Sequence, residues 1–155
     1  MAALTSDRNT EYSLGDLLSI PVAAGERIFA GSLVCSDSDG YGVPAADTAG
    51  LVFEGIATAQ VDNRNGSAGD LSVVVRRRGR YKLDFLGAIT QAGQSAKAYA
   101  VDDHTVDAAD DVTNDVLVGI VDKVEAAGEA WVSIDAAVLA GKDWSEPTTT
   151  TTSGG

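Results

Sequence analysis

Runs of apolar residues long enough for a strand recur along the whole chain, and each is cut short by Gly, Asn or Asp before a helical period can develop. The runs are "LLSIPVA" (17–23), "RIFAGSLVCS" (27–36), "LVFEGIATAQV" (51–61), "DLSVVVRRRGRYKLDF" (70–85), "AKAYAV" (96–101), "VLVGIVDKV" (116–124) and "EAWVSIDA" (129–136). Between them stand "AAGE", "DSDG", "NRNGSAGD", "QAGQ" and a second "AAGE", which carry the residue types that tight turns require. Only "DAAVLAG" (135–141), with Asp135 as N-cap and Gly141 as C-cap, and a turn near 87–92 have helical character. With 17 Gly and 6% aromatic residues, the chain reads as mostly β: a small single-domain β-barrel or β-sandwich with at most one or two short helices. Its 155 residues suffice to bury a core without disulfides or metals.

The ends differ from the middle. Residues 1–15 show neither period and contain the breaker Gly15, so they read as an extended N-terminal arm. Residues 145–155, Thr-rich and without apolar side chains, read as a flexible C-terminal tail. The β-rich core domain is expected over 16–144. Inside it runs a faint duplication: Ala24-Gly25 is echoed by Ala92-Gly93, Gly55-Ile56 by Gly119-Ile120, and Gly69-Asp70 by Gly128-Glu129, in the same order. If it is a true repeat, two related halves, about 17–85 and 86–141, close one barrel or sandwich.

Charge narrows the partners. A formal net charge of −12 repels nucleic acid and anionic membranes at long range, and no stretch approaches the length of a membrane span. Met1 is followed by no apolar leader segment, so synthesis and residence in a reducing cytosol, or export inside a particle, are expected.

Against this background, "VVVRRRGRYKLDF" (73–85) holds five of the eleven basic residues. At period two, Arg76, Arg78, Arg80 and Lys82 share one face with Ser72, Val74 and Asp84, while Leu71, Val73, Val75, Tyr81, Leu83 and Phe85 share the other. One long half-buried strand is expected, bent where Arg77 and Gly79 interrupt the apolar side. Its cationic face either pairs with the chain's own carboxylates or docks on an acidic protein surface. A nucleic-acid site would interleave exposed aromatics, and Tyr81 lies on the apolar side.

Catalytic chemistry has few candidates. Cys35 ends an apolar run with no basic neighbour in sequence, which suits a buried structural thiol. His104 stands alone in "DDHTVD", and there is no G-x-S-x-G, Walker or dinucleotide glycine pattern. The acids from Asp102 to Asp115 miss the spacing of a calcium loop, leaving a solvated acidic loop or an irregular oxygen site, and "DSDG" (37–40) reads as a hairpin turn. No enzyme, cofactor or metal site is expected.

The ordered set "AGERIFAGSLV", "FEGIATAQV", "GDLSVVVRRRGRYKL", "AGQSAKAYAVDDHTV" and "VLVGIVDKVEAAGEAWVSIDA", spanning roughly residues 17–136, resembles the tailed-phage capsid decoration (cement, head-stabilising) proteins. The resemblance implies a non-enzymatic structural protein, made in the host cytoplasm and bound to the outer capsid surface of the virion. It would clamp neighbouring major capsid protein subunits, often as a homo-oligomer, with a trimer expected. The interaction residues would then be Arg76, Arg78, Arg80 and Lys82 on the basic strand and Thr5, Arg8 and Tyr12 on the arm. The competing class is a β-sandwich recognition module that binds carbohydrate, for which Tyr41, Trp131 and Trp144 are the aromatic candidates.

Overall fold

The computed structural model describes residues 3–126 and 128–135. The fold is mostly β, with twelve strands and two single-turn 3-10 helices, Gln91–Gly93 and Ala109–Asp111, among the described residues. The strands are β1 (Leu17–Pro21), β2 (Arg27–Ile28), β3 (Leu33–Ser36), β4 (Gly42–Pro44), β5 (Val52–Ala57), β6 (Val61–Asp62), β7 (Ser72–Arg76), β8 (Arg80–Phe85), β9 (Lys97–Ala100), β10 (Thr105–Asp107), β11 (Leu117–Ala126) and β12 (Glu129–Ser133). The expected helix over 135–141, the Thr-rich tail and Trp144 lie outside the described residues, apart from Asp135.

The long basic strand is two strands in two sheets. β7 ends at Arg76 and β8 begins at Arg80, and the chain turns between them at Gly79, whose φ of 111° is closed to most side chains. Before the turn, Val73 and Val75 are buried between exposed Ser72, Val74 and Arg76; after it, Leu83 is buried between exposed Lys82 and Asp84. The period-two reading therefore holds within each strand, and the expected single strand does not. Leu71, placed by that reading on the apolar side, is 46% exposed because it precedes β7. Likewise "RIFAGSLVCS" is two strands around the turn at Gly31, while β4 and β10 fall in segments without an apolar run.

The hand-over divides the chain into two lobes of one design. In the first, the sheet order is β1-β7-β5-β3-β4; in the second it is β8-β12-β11-β9-β10, closed into a barrel. Both are antiparallel throughout except at the closing contact, where β8 and β10 run parallel and the first lobe has a single parallel bridge, Val22 to Gly42. Registers coincide as well. Leu17 faces Arg76 as Arg80 faces Ser133, Ile56 faces Arg76 as Ile120 faces Ser133, and Val34 faces Gly55 as Ala98 faces Gly119. Even the bulge recurs: the β3–β5 ladder slips past Glu54, and the β9–β11 ladder slips past Val118. The lobes thus meet at residues 77–79, earlier than the halves suggested by the sequence echoes.

Gly55 and Gly119 sit at these bulges because the strand beside them leaves no space. A Cβ on Gly55 would lie 2.5 Å from the Arg76 carbonyl oxygen, and one on Gly119 would overlap that of Ser133. Inside the first lobe, Ile20, Val22, Ile28, Val34, Ala57, Val73 and Val75 form one cluster, with the β2–β6 ribbon supplying Ile28. The larger cluster spans both lobes, joining Leu33, Cys35, Phe53 and Ile56 of the first to Ala98, Val118, Val132 and Ile134 of the second.

Candidate interaction surface

The four exposed cations of the predicted face are distributed by the turn at Gly79. Arg76 closes β7, Arg78 lies in the joint, and Arg80 and Lys82 stand on β8. Most are engaged within the chain. Arg78 approaches Asp16 at 3.6 Å, Arg80 pairs with Asp122, and Lys82 approaches Glu129 at 3.6 Å. The Arg80 guanidinium also lies 5.7 Å from the centroid of the Trp131 ring. All three pairs are solvent-exposed, so each contributes at most about 1 kcal/mol and leaves its cation open to competition from a partner. Among the described residues, no carboxylate reaches ion-pair distance of Arg76.

Arg77 belongs elsewhere. Continuing the alternation of Val73 and Val75, it turns inward to Glu54 at 3.4 Å, and Glu54 accepts a 2.8 Å hydrogen bond from the Ser36 hydroxyl. This half-buried trio occupies the end of the first lobe where β3 and β7 finish. At the matching positions of the second lobe stand Ala100, Val118 and Ile134, all fully buried.

The arm reaches the same region. Residues 3–14 are exposed and form no strand or helix, so Thr5, Arg8 and Tyr12 are all open to solvent. The arm joins the body where the Asp16 carbonyl accepts the Arg77 N–H at 2.8 Å. A shallow groove of about 390 Å³ there is lined by Asp16, Leu17, Arg76, Arg78 and Gly79. Leu17 (57% exposed) on β1 and Val74 (38%) on β7 lie on the face of Arg76, and the arm exposes Leu4 (74%), Tyr12 (85%) and Leu14 (65%). The sequence reading missed Leu17 as part of a surface, because it took the run that Leu17 opens only as a candidate strand. Val74 carried the better signal, since its parity with Arg76 already placed it outside.

The chemistry-bearing residues lie apart from this surface. Cys35 is fully buried, and burial, reinforced by nearby Glu54, pushes its thiol up to about 12. His104 is exposed in the turn between β9 and β10, its Nδ1 2.8 Å from Asp103 Oδ1 and 3.1 Å from Asp102 Oδ1, and the hydrogen bond to Asp103 raises its pKa. These three could place ligand atoms within 4.8 Å of one another, yet Asp102 already accepts the backbone N–H groups of His104 and Thr105 as a turn cap. A cavity of about 210 Å³ beside β9 and β10 includes Phe85, Ile89, Lys97 and Asp107, with the Asp107 carboxylate taken by the N–H groups of Gly87 and Ala108.

Trp131 is half-buried with the Arg80 guanidinium over one face of its ring, and Tyr41 is half-buried at the end of the "DSDG" turn. Among the described residues, no helix is long and apolar enough to cross a membrane. No protein-family model matches the chain, and no curated protein does either.

Proposed function

We propose that the protein is a non-enzymatic structural protein that coats the outside of a viral capsid and stabilises the shell by bridging major capsid protein subunits. The observation that carries this reading is the exposed arm, which offers Leu4, Tyr12 and Leu14 to solvent and joins the body at Asp16, in the lining of a groove shared with Arg76 and Arg78. An extended segment with spaced apolar side chains suits addition to the edge or seam of another protein, ordering as it binds. A net charge of −12 suits a place outside the shell, away from packaged nucleic acid. Mechanically, each copy adds contact area across a subunit boundary. Repetition over a symmetric lattice turns modest affinity per copy into resistance to outward pressure.

The test is to sediment intact particles from the source lysate and quantify the chain against the most abundant shell protein by mass spectrometry. A fixed, near-stoichiometric ratio is the expected result, and absence from every particle fraction overturns the reading. Deletion of residues 1–14 is then expected to lower occupancy while the free protein keeps its fold.

A further inference from the structure

The first strand of the chain begins with one edge unpaired. β1 pairs with β7, and the Arg77 N–H on the Asp16 carbonyl and the Val22 N–H on the Leu71 carbonyl fix the parity of that ladder: backbone groups of even-numbered β1 residues face β7. The N–H and C=O groups of Leu17 and Ser19 therefore point the other way, and among the described residues nothing hydrogen-bonds them. Further along, the edge is closed. Pro21 has no N–H, and beyond it the Ala23 N–H donates to the Gly42 carbonyl at 2.9 Å beside the Val22–Gly42 bridge. What stays open is a short edge at the start of β1, bordering the groove lined by Asp16, Leu17, Arg76, Arg78 and Gly79. Its outer face carries exposed Leu17 and Val74, and Arg76, which has no carboxylate within ion-pair distance among the described residues. Such an edge is a template for an added extended segment.

The chain itself carries such a segment. Residues 3–14 are exposed and lie in no strand or helix. They leave the edge of their own β1 bare, because Asp16 continues the line of that strand with its carbonyl on the Arg77 N–H. We propose that the arm of one copy adds as a strand to the open edge of β1 in a second copy, so that the protein self-associates by exchanging arms. A dozen extended residues reach about 40 Å, enough to cross to a neighbour. Each copy has one arm and one edge, so the exchange closes as a reciprocal pair or as a ring.

Charge and geometry match arm to edge. In an extended arm Asp7 and Glu11 lie on one face and Tyr12 and Leu14 on the other. Among the described residues neither acid reaches a cation, so both are open to a partner as Arg76 is. The acidic face falls on the side of Leu17 and Arg76, which stand opposite each other across β1 and β7. The apolar face falls beside Leu18, a half-buried residue packed on the first-lobe core. Glu11 is thus assigned to Arg76. The edge offers two N–H and two C=O groups, and the ion pair is exposed, so the association is weak and depends on concentration.

The test uses the full chain free in solution. Sedimentation velocity and native mass spectrometry are expected to show self-association at high micromolar concentration. A chain lacking residues 1–14 is expected to stay monomeric, with circular dichroism checking that it folds. A synthetic peptide of residues 1–14 at millimolar concentration should dissociate the full chain and shift the NMR amide signals of Leu17 and Ser19 in the truncated one. Arg76→Glu is expected to weaken self-association at least about tenfold, and Glu11→Arg in the same chain to restore it. A full chain that stays monomeric, a truncated chain that associates as the full one does, a peptide that leaves Leu17 and Ser19 unshifted, or a double variant that is not restored overturns the proposal. The capsid reading is tested on particles, so a truncated chain that loses shell occupancy but keeps its self-association sinks arm exchange alone.

Discussion

At the scale of single residues, the sharpest consequences come from groups with no room to change. The Cys35 thiol, buried and held near a pKa of about 12, is expected to react with an aromatic disulfide reagent at pH 8 far more slowly in the native protein than in denaturant. Equal rates would mean that the β3–β5 face is open. Gly55→Ala places a methyl group against the Arg76 carbonyl at a φ of 152°, and a loss of about 2–4 kcal/mol is expected from urea unfolding, with the denaturant slope unchanged. His104 gives a signed pH effect. Its raised pKa means that the pairing with Asp103 and Asp102 stabilises the fold below the ordinary histidine value and is lost as pH rises through the folded value. NMR titration of its ring should show that shift, and Asp103→Asn should reduce it. Little of this was legible from the sequence. It marked Cys35 as buried from the apolar run before it, but Glu54 and the crowding at Gly55 come from residues distant in the chain.

At the scale of elements, the turn at Gly79 decides the topology. Its N–H donates to Asp135 at 2.9 Å and its carbonyl accepts the Ile134 N–H at 3.1 Å, so the joint is tied to the far end of the second lobe. Gly79→Ala is expected to cost about 1–2 kcal/mol because of its positive φ, measured by thermal or urea unfolding. Period two revealed which side chains of 72–85 face inward, since burial follows the pleat. It could not reveal that the pleat passes from one sheet to another, which depends on one backbone angle. β4 and β10 escaped for a related reason: each is three residues long, and β10 buries Asp107, whose carboxylate is satisfied by backbone N–H groups that no pattern announces. The Asp47 clamp is also an element-level device. Its carboxylate, lowered chiefly by the Thr113 N–H, adds to the lobe contact in full above the ordinary aspartate range, and that contribution is lost as pH falls through its folded value. Asp47→Ala should speed hydrogen exchange at Thr113 and Asn114 and reduce acid resistance.

At the scale of the whole molecule, most of the basic stretch is engaged within the chain. Arg78, Arg80 and Lys82 balance the chain's own acids, so reversing all of them would set like charges against Asp16, Asp122 and Glu129. Arg76→Glu is the cleaner probe of docking. It should lower particle occupancy several-fold without changing the melting temperature, and wild-type occupancy would confine the cluster to internal charge balance. The echoes at Gly55-Ile56 and Gly119-Ile120 were visible in the sequence because close backbone approach demands glycine at both places. The rest of the correspondence is carried by hydrogen-bond register, which different side chains satisfy equally well. That correspondence has a further consequence. Each lobe begins and ends side by side, Leu17 against Arg76 and Arg80 against Ser133, so the chain leaves a lobe next to where it entered. A lobe is thus a cassette with adjacent ports, and the three residues from Arg77 to Gly79 are the coupling between one cassette and the next. An inserted third cassette, joined by the same coupling after Ser133, would extend the molecule by one unit without rethreading either existing lobe.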